Sequence, residues 1–125
     1  MLKVFLIGLG GFAGAVSRYL VSGLVYRLPG TEMFPYGTLV VNMIGCLLIG
    51  LGGGLMESRQ LFSPEARSFI FIGLLGGFTT FSTFAFESFN LTREGQLLAT
   101  ASNVLAHVLL GLAMVWLGNV IARAV

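Results

Sequence analysis

Two long stretches of the sequence, Tyr36 to Met56 and Gln96 to Ala122, contain no charged residue. Two others come close: Val4 to Tyr26 carries only Arg18, and the run from Arg67 to Leu91 carries only Glu87 past its first residue. A helix rising 1.5 Å per residue needs ~20 apolar residues to cross ~30 Å of hydrocarbon. All four stretches are long enough. What remains between them is too short to hold a soluble domain. Charged residues make up 10% of the chain and hydrophobic ones 56%. A soluble domain carries about a quarter charged residues to cover its surface, so lipid must be part of the solvent here. The expected fold is an all-α membrane protein, one four-helix domain over 1–125, with spans at about 4–26, 36–56, 67–91 and 96–122.

The first stretch has a competing reading as a signal peptide. Lys3 would be its basic start, and Ala13-Gly14-Ala15 imitates a small-residue cleavage site. The apolar pattern continues past Ala15 to Tyr26, which favours a span. The single cysteine, Cys46, lies inside the second stretch, so no disulfide can form within the chain. It reads as a small buried apolar residue. One histidine, one cysteine and no paired carboxylates leave no catalytic set, so an enzyme is not expected. A protein with so little outside the bilayer has no surface for nucleic acid.

The breaks between spans are short. Leu28 to Pro35 holds two prolines and a glycine. Ser63-Pro64-Glu65 reads as a helix start with proline just inside. Thr92 to Gly95 is a tight link, and Thr92 with Gln96 is a weak capping signal for the fourth helix. Asn90-Leu91-Thr92 matches a glycosylation sequon by chance at a membrane edge. Four spans put both termini on one side, with Lys3, Arg59, Arg67 and Arg123; Arg27 and Arg93 lie on the other. The positive-inside rule therefore sets orientation only weakly. Termini in the cytoplasm and insertion both ways are both open.

Glycine is abundant, with 18 residues mostly inside the spans. Gly10 and Gly14, Gly50 and Gly54, and Gly73 and Gly77 are each four apart, a spacing that lets helix backbones approach closely in lipid. Gly8-Leu9-Gly10-Gly11-Phe12-Ala13 loosely imitates a dinucleotide loop, but it lies in a span with no strand before it.

Polar residues inside a membrane default to functional or packing roles. Arg18 either snorkels to the interface or attracts an anion at a pore mouth. Thr38 and Asn42 share one face of the second span. Asn42 offers amide donors for an anion, and an interhelical hydrogen bond is its plainer role. Gly76-Gly77-Phe78-Thr79-Thr80-Phe81-Ser82-Thr83-Phe84 is the most informative stretch. Paired glycines and threonines are poor helix formers and predict a break in the third helix at Gly76–Thr80. Freed carbonyls there would suit a cation. Phe81 and Phe84 lie on a common face, and the electropositive edges of their rings can rest against a small anion. Ser102, Asn103 and His107 form a polar group on the fourth span, where His107 lines a pore, packs or relays protons. Glu87 is the carboxylate that lies clearly within a span.

At these residues the chain resembles the small fluoride-channel family, also called Fluc or CrcB. Gly10-Gly11-Phe12-Ala13-Gly14-Ala15 with Arg18-Tyr19 is similar to its first-helix signature. Gly37-Thr38-Leu39-Val40-Val41-Asn42 is similar to its second, and the 76–84 stretch to its third. The resemblance implies a fluoride-selective channel in the cell inner membrane, multi-pass, that lets toxic fluoride leave the cytoplasm passively. It implies an antiparallel dual-topology homodimer with a structural sodium ion at its centre, held by the main-chain carbonyls of Gly76 and Thr79. Phe81, Phe84 and Asn42 would face fluoride. Thr80, Ser82, Thr83, Thr38 and His107 would complete the polar path, with Arg18 in the vestibule. Some family members carry tyrosine and serine where this chain has Asn103 and His107. A proton-coupled four-helix dual-topology exporter is the alternative. Such carriers need a carboxylate in the first helix; here Glu87 is the only candidate, in the third.

Overall fold

A computed structural model describes residues 1–31, 33–59 and 61–125. Among these residues, four helices are long and apolar enough to cross a membrane: Leu2–Val25, Tyr36–Arg59, Pro64–Arg93 and Leu97–Ala124. We label the first two α1 and α2 and the last α5. The third span has several parts. One turn of α-helix (Pro64–Arg67) runs into a π-helical stretch (Ser68–Leu75) and a closing α-turn (Gly76–Phe78); together these are α3. Phe81–Arg93 is α4.

Local chemistry explains where α3 begins. The Ser63 hydroxyl accepts the Ala66 N–H at 3.2 Å, and Pro64 follows at the position where a missing N–H does no harm. Thr92 and Gln96 behave differently from expectation. The Thr92 hydroxyl donates to the Ser88 carbonyl one turn back at 2.9 Å. Gln96 occupies the N-cap of α5 without a side-chain capping bond, and its amide donates to Glu94 instead. The link between α4 and α5 turns at Gly95, whose φ of +75° is a conformation that side-chain-bearing residues avoid.

The helices pair as α1 with α3 and α2 with α5, while α4 lies against α5. Both main seams are made of glycine. A Cβ on Gly14 would lie 2.8 Å from the Phe78 nitrogen, and one on Gly77 would lie 2.6 Å from the Gly11 carbonyl oxygen. Across the other seam, a Cβ on Gly118 would lie 2.6 Å from the Leu51 nitrogen. Each of the three glycine pairs anticipated from the sequence thus sits at a helix contact.

The third span departs from expectation in one detail. Gly76 and Gly77 are helical, and the extended residues are Thr79 (φ −82°, ψ 158°) and Thr80 (φ −150°, ψ 113°). Gly77 serves close approach to Gly11 of α1 rather than irregular backbone. Few large apolar side chains are buried, among them Val41, Leu75 and Phe78. The outer face of α5 exposes Leu98, Leu105, Leu109, Leu112 and Trp116. Such an inverted arrangement suits hydrocarbon surroundings, where packing of small residues replaces a hydrophobic core.

Candidate functional site

The site is built around the two extended threonines. An extended residue between helices leaves its N–H and C=O without helical partners, and burial makes that expensive. Asn42 of α2 supplies both. Its Oδ1 accepts the Thr80 N–H at 2.9 Å and its Nδ2 donates to the Thr80 carbonyl at 3.1 Å. The amide side chain therefore imitates a neighbouring strand across the gap. This capture has a second effect. In a continuous helix the Thr80 N–H would bond the Gly76 carbonyl. With that donor turned to Asn42, the Gly76 oxygen is released at an exposed position.

Thr80 also caps α4. Its hydroxyl accepts the Thr83 N–H at 3.3 Å, donates to the Thr83 hydroxyl at 2.9 Å and lies 3.4 Å from that of Ser82. Three hydroxyls thus cluster at the start of α4. Beyond them the Phe81 and Phe84 rings sit 5.5 Å apart, tilted by 58°. Phe81 is 79% exposed, so its ring projects from this chain rather than into it. Phe84 is half-buried and lies 4.3 Å from the His107 ring of α5.

Two concavities meet at Thr80. One, of about 450 Å³, is lined by Asn42, Thr79, Thr80, Phe81, Phe84 and His107, with Gly76 on its wall. The other, of about 430 Å³, is lined by Arg18, Tyr19, Tyr26, Thr38, Thr80 and Thr83. Arg18 reaches across from α1, its guanidinium 3.4 Å from the Thr79 carbonyl. The structure thus brings the residues anticipated from the sequence into two adjoining cavities, and Ser82 joins them through the hydroxyl cluster.

Residues 5–119 match the family described as CrcB-like protein, Camphor Resistance (CrcB). The chain belongs to the CrcB-like family. Its relatives include a protein of Geobacter sp. (strain M21), named fluoride-specific ion channel FluC, with 48% identity over 99% of both chains. One of Maridesulfovibrio salexigens with the same name is 47% identical over 100% of this chain and 98% of its own. A relative from Methanosarcina acetivorans, fluoride-specific ion channel FluC 1, is 47% identical over 98% of this chain and 92% of its own.

Two polar contacts of this CrcB-like chain were not legible in its sequence. The Thr38 hydroxyl donates to Glu87 Oε1 at 2.6 Å, joining α2 to α4. Asn103, fully buried, donates to the Ser88 hydroxyl at 3.0 Å, joining α5 to α4. Neither pair is close in sequence, and only the unusual choice of a polar residue inside a span marks them.

Proposed function

We propose that the protein is a fluoride channel that lets the ion leave the cytoplasm passively, down its gradient, through the inner membrane. The observation that carries this reading is the tilted Phe81–Phe84 pair beside the hydroxyl cluster and the Asn42 amide, in a chain nearly half identical to proteins named fluoride-specific channels. Fluoride holds its water strongly, so a path must replace hydration with contacts strong enough for uptake and weak enough for release. Ring edges, hydroxyls and amide hydrogens are such donors. The cation in reach, Arg18, lines the adjoining 430 Å³ cavity. It raises anion concentration there without gripping an ion beside Phe81 and Phe84.

The third span works in this reading as two half-helices around Thr79 and Thr80. Phe81 projects from the chain, so a second copy in the opposite orientation completes the pathway. Gly76 and Thr79 of the two copies would offer neutral carbonyl oxygens to a central sodium ion. The release of the Gly76 oxygen by Asn42 supports this fit, and the Thr79 oxygen keeps a lone pair beyond its contact with Arg18. Among the described residues no cluster of three acidic, histidine or cysteine side chains competes as a metal site. A sodium ion bound there would lock the interface and add positive potential near the anion path.

Liposomes containing only this protein test the reading. Fluoride efflux should far exceed chloride efflux and need no proton gradient. Phe81→Ile should abolish it by removing the ring edge. Asn42→Asp should abolish it, because the carboxylate still accepts the Thr80 N–H but loses the donor to the Thr80 carbonyl and sets a negative charge in the anion path. Wild-type flux in both variants would sink the assignment, and flux that requires a proton gradient would favour the exporter.

A further inference from the structure

Phe84, Ser88, Asn103 and His107 form a closed circuit between α4 and α5. The Ser88 hydroxyl donates to the Phe84 carbonyl at 2.9 Å, and Asn103 Nδ2 donates to the Ser88 hydroxyl at 3.0 Å. His107 Nδ1 lies 3.0 Å from the Asn103 carbonyl oxygen, and the His107 ring returns to Phe84 with centroids 4.3 Å apart. The imidazole is thereby held in one place at the wall of the 450 Å³ cavity, beside Asn42, Thr80 and Phe81.

The circuit also fixes the tautomer. A carbonyl oxygen can only accept, so Nδ1 must carry hydrogen. In the neutral ring Nε2 is then a bare lone pair. That atom is buried and has no hydrogen-bond partner among the described residues. His107 lines the cavity, and a lone pair within the wall of an anion path repels the ion. A proton added at Nε2 reverses this, because the imidazolium carries a donor and a positive charge at the same point.

Given the fluoride-channel reading, on which this rests, we propose that His107 is a proton-switched anion site, with Nε2 binding fluoride beside Phe84 only in its imidazolium form. A proton from water adds to the Nε2 lone pair, the new N–H donates to fluoride, and the proton returns to water after the ion leaves. Among the described residues the cavity holds one other titratable group, the Cys46 thiol of α2. From α4 the nearest ionisable group is Glu87, a turn beyond Phe84 and bonded to Thr38. From α1, Arg18 lines the adjoining cavity and reaches the Thr79 carbonyl between α3 and α4.

His107 is the only histidine, so nitrogen-15 NMR of tag-free protein labelled at histidine reports it alone. The neutral ring should show hydrogen on Nδ1. The titration midpoint should move up by about one pH unit when gluconate is replaced by fluoride at about ten times its dissociation constant for the imidazolium form. Fluoride efflux from liposomes, corrected for leak through protein-free vesicles, should rise as the pH is lowered through the midpoint that the NMR titration reports. In His107→Gln, which keeps an amide donor at all pH values, that rise should vanish. Hydrogen on Nε2 in the neutral ring, an unmoved midpoint, or the same pH profile in His107→Gln would overturn the proposal. A protein that conducts no fluoride at any pH, yet shows the moved midpoint, would remove the channel reading and leave the anion site standing.

Discussion

Asn42 and Thr38 lie one turn apart on α2, and both reach residues at or beyond the extended threonines. Their roles differ in what is left behind when they are removed. Thr38 gives Glu87 Oε1 its hydrogen bond at 2.6 Å, and Glu87 Oε2 is buried without a partner among the described residues. Thr38→Val keeps the shape and removes the donor, leaving the carboxyl with no bond at either oxygen. Losing a partner to a buried polar group costs about 1–3 kcal/mol. Thr38→Val should therefore lower stability by about 2 kcal/mol, read as a lowered thermal midpoint in detergent, while Thr38→Ser should stay close to wild type. Equal midpoints for the Val and Ser variants would show that the hydroxyl contact does not hold α2 to α4. Glu87→Gln should recover part of the loss in the Thr38→Val background, since an amide is less demanding to bury than an acid.

At the scale of elements, close approach of backbones sets the geometry. α1 meets α3 where Gly14 faces Leu74 and Phe78, and no rotamer can relieve a clash with main chain. Gly14→Ala gains helix propensity yet should destabilise by about 1–3 kcal/mol through forced separation of the helices. Gly53→Ala is the control: nothing lies within 4 Å of its added Cβ, so it should stabilise by about 0.5–1 kcal/mol. Opposite signs for two identical substitutions, followed by thermal denaturation, would confirm the seam; two stabilising changes would refute it. These glycines were readable in advance because spacing by four is a property of one helix. The Ser63 cap was readable for the same reason, since it involves residues three apart. The site was only partly so. Helix propensity points at the whole stretch Gly76–Thr80, yet Gly76 and Gly77 stay helical, and the extended backbone falls at Thr79 and Thr80, where Asn42 offers Thr80 replacement bonds. That choice is made by a residue far away in the chain, and no local signal contains it. The same holds for Thr38 with Glu87 and Ser88 with Asn103.

The whole molecule has an asymmetry that bears on its working state. Phe81 is 79% exposed and lies on an open concavity with Asn42, Thr80 and the released Gly76 carbonyl on its walls. Lipid could cover the ring but could not satisfy the carbonyl, because hydrocarbon has no donors. A second copy related by a two-fold axis in the membrane plane would cover both, and it would bring four carbonyl oxygens from Gly76 and Thr79 together. The cationic residues are compatible with such an arrangement: Lys3, Arg59, Arg67 and Arg123 near one end and Arg27 and Arg93 near the other give little bias between the two insertions. Three outcomes are expected. The purified protein should have twice the 13.3 kDa chain mass. In a Cys46→Ser background, a cysteine placed at Arg27 should be labelled by an impermeant reagent from both sides of the membrane to similar extents. Crystals soaked in a heavier monovalent cation should show anomalous density between the Gly76 and Thr79 carbonyls of the two copies. A monomer, labelling from one side only, or a dimer whose centre takes up no cation would each remove the corresponding part. The last would matter most, because the Gly76 oxygen would then need water as its partner, and the two halves of the third span would lose the ion that ties them across the interface.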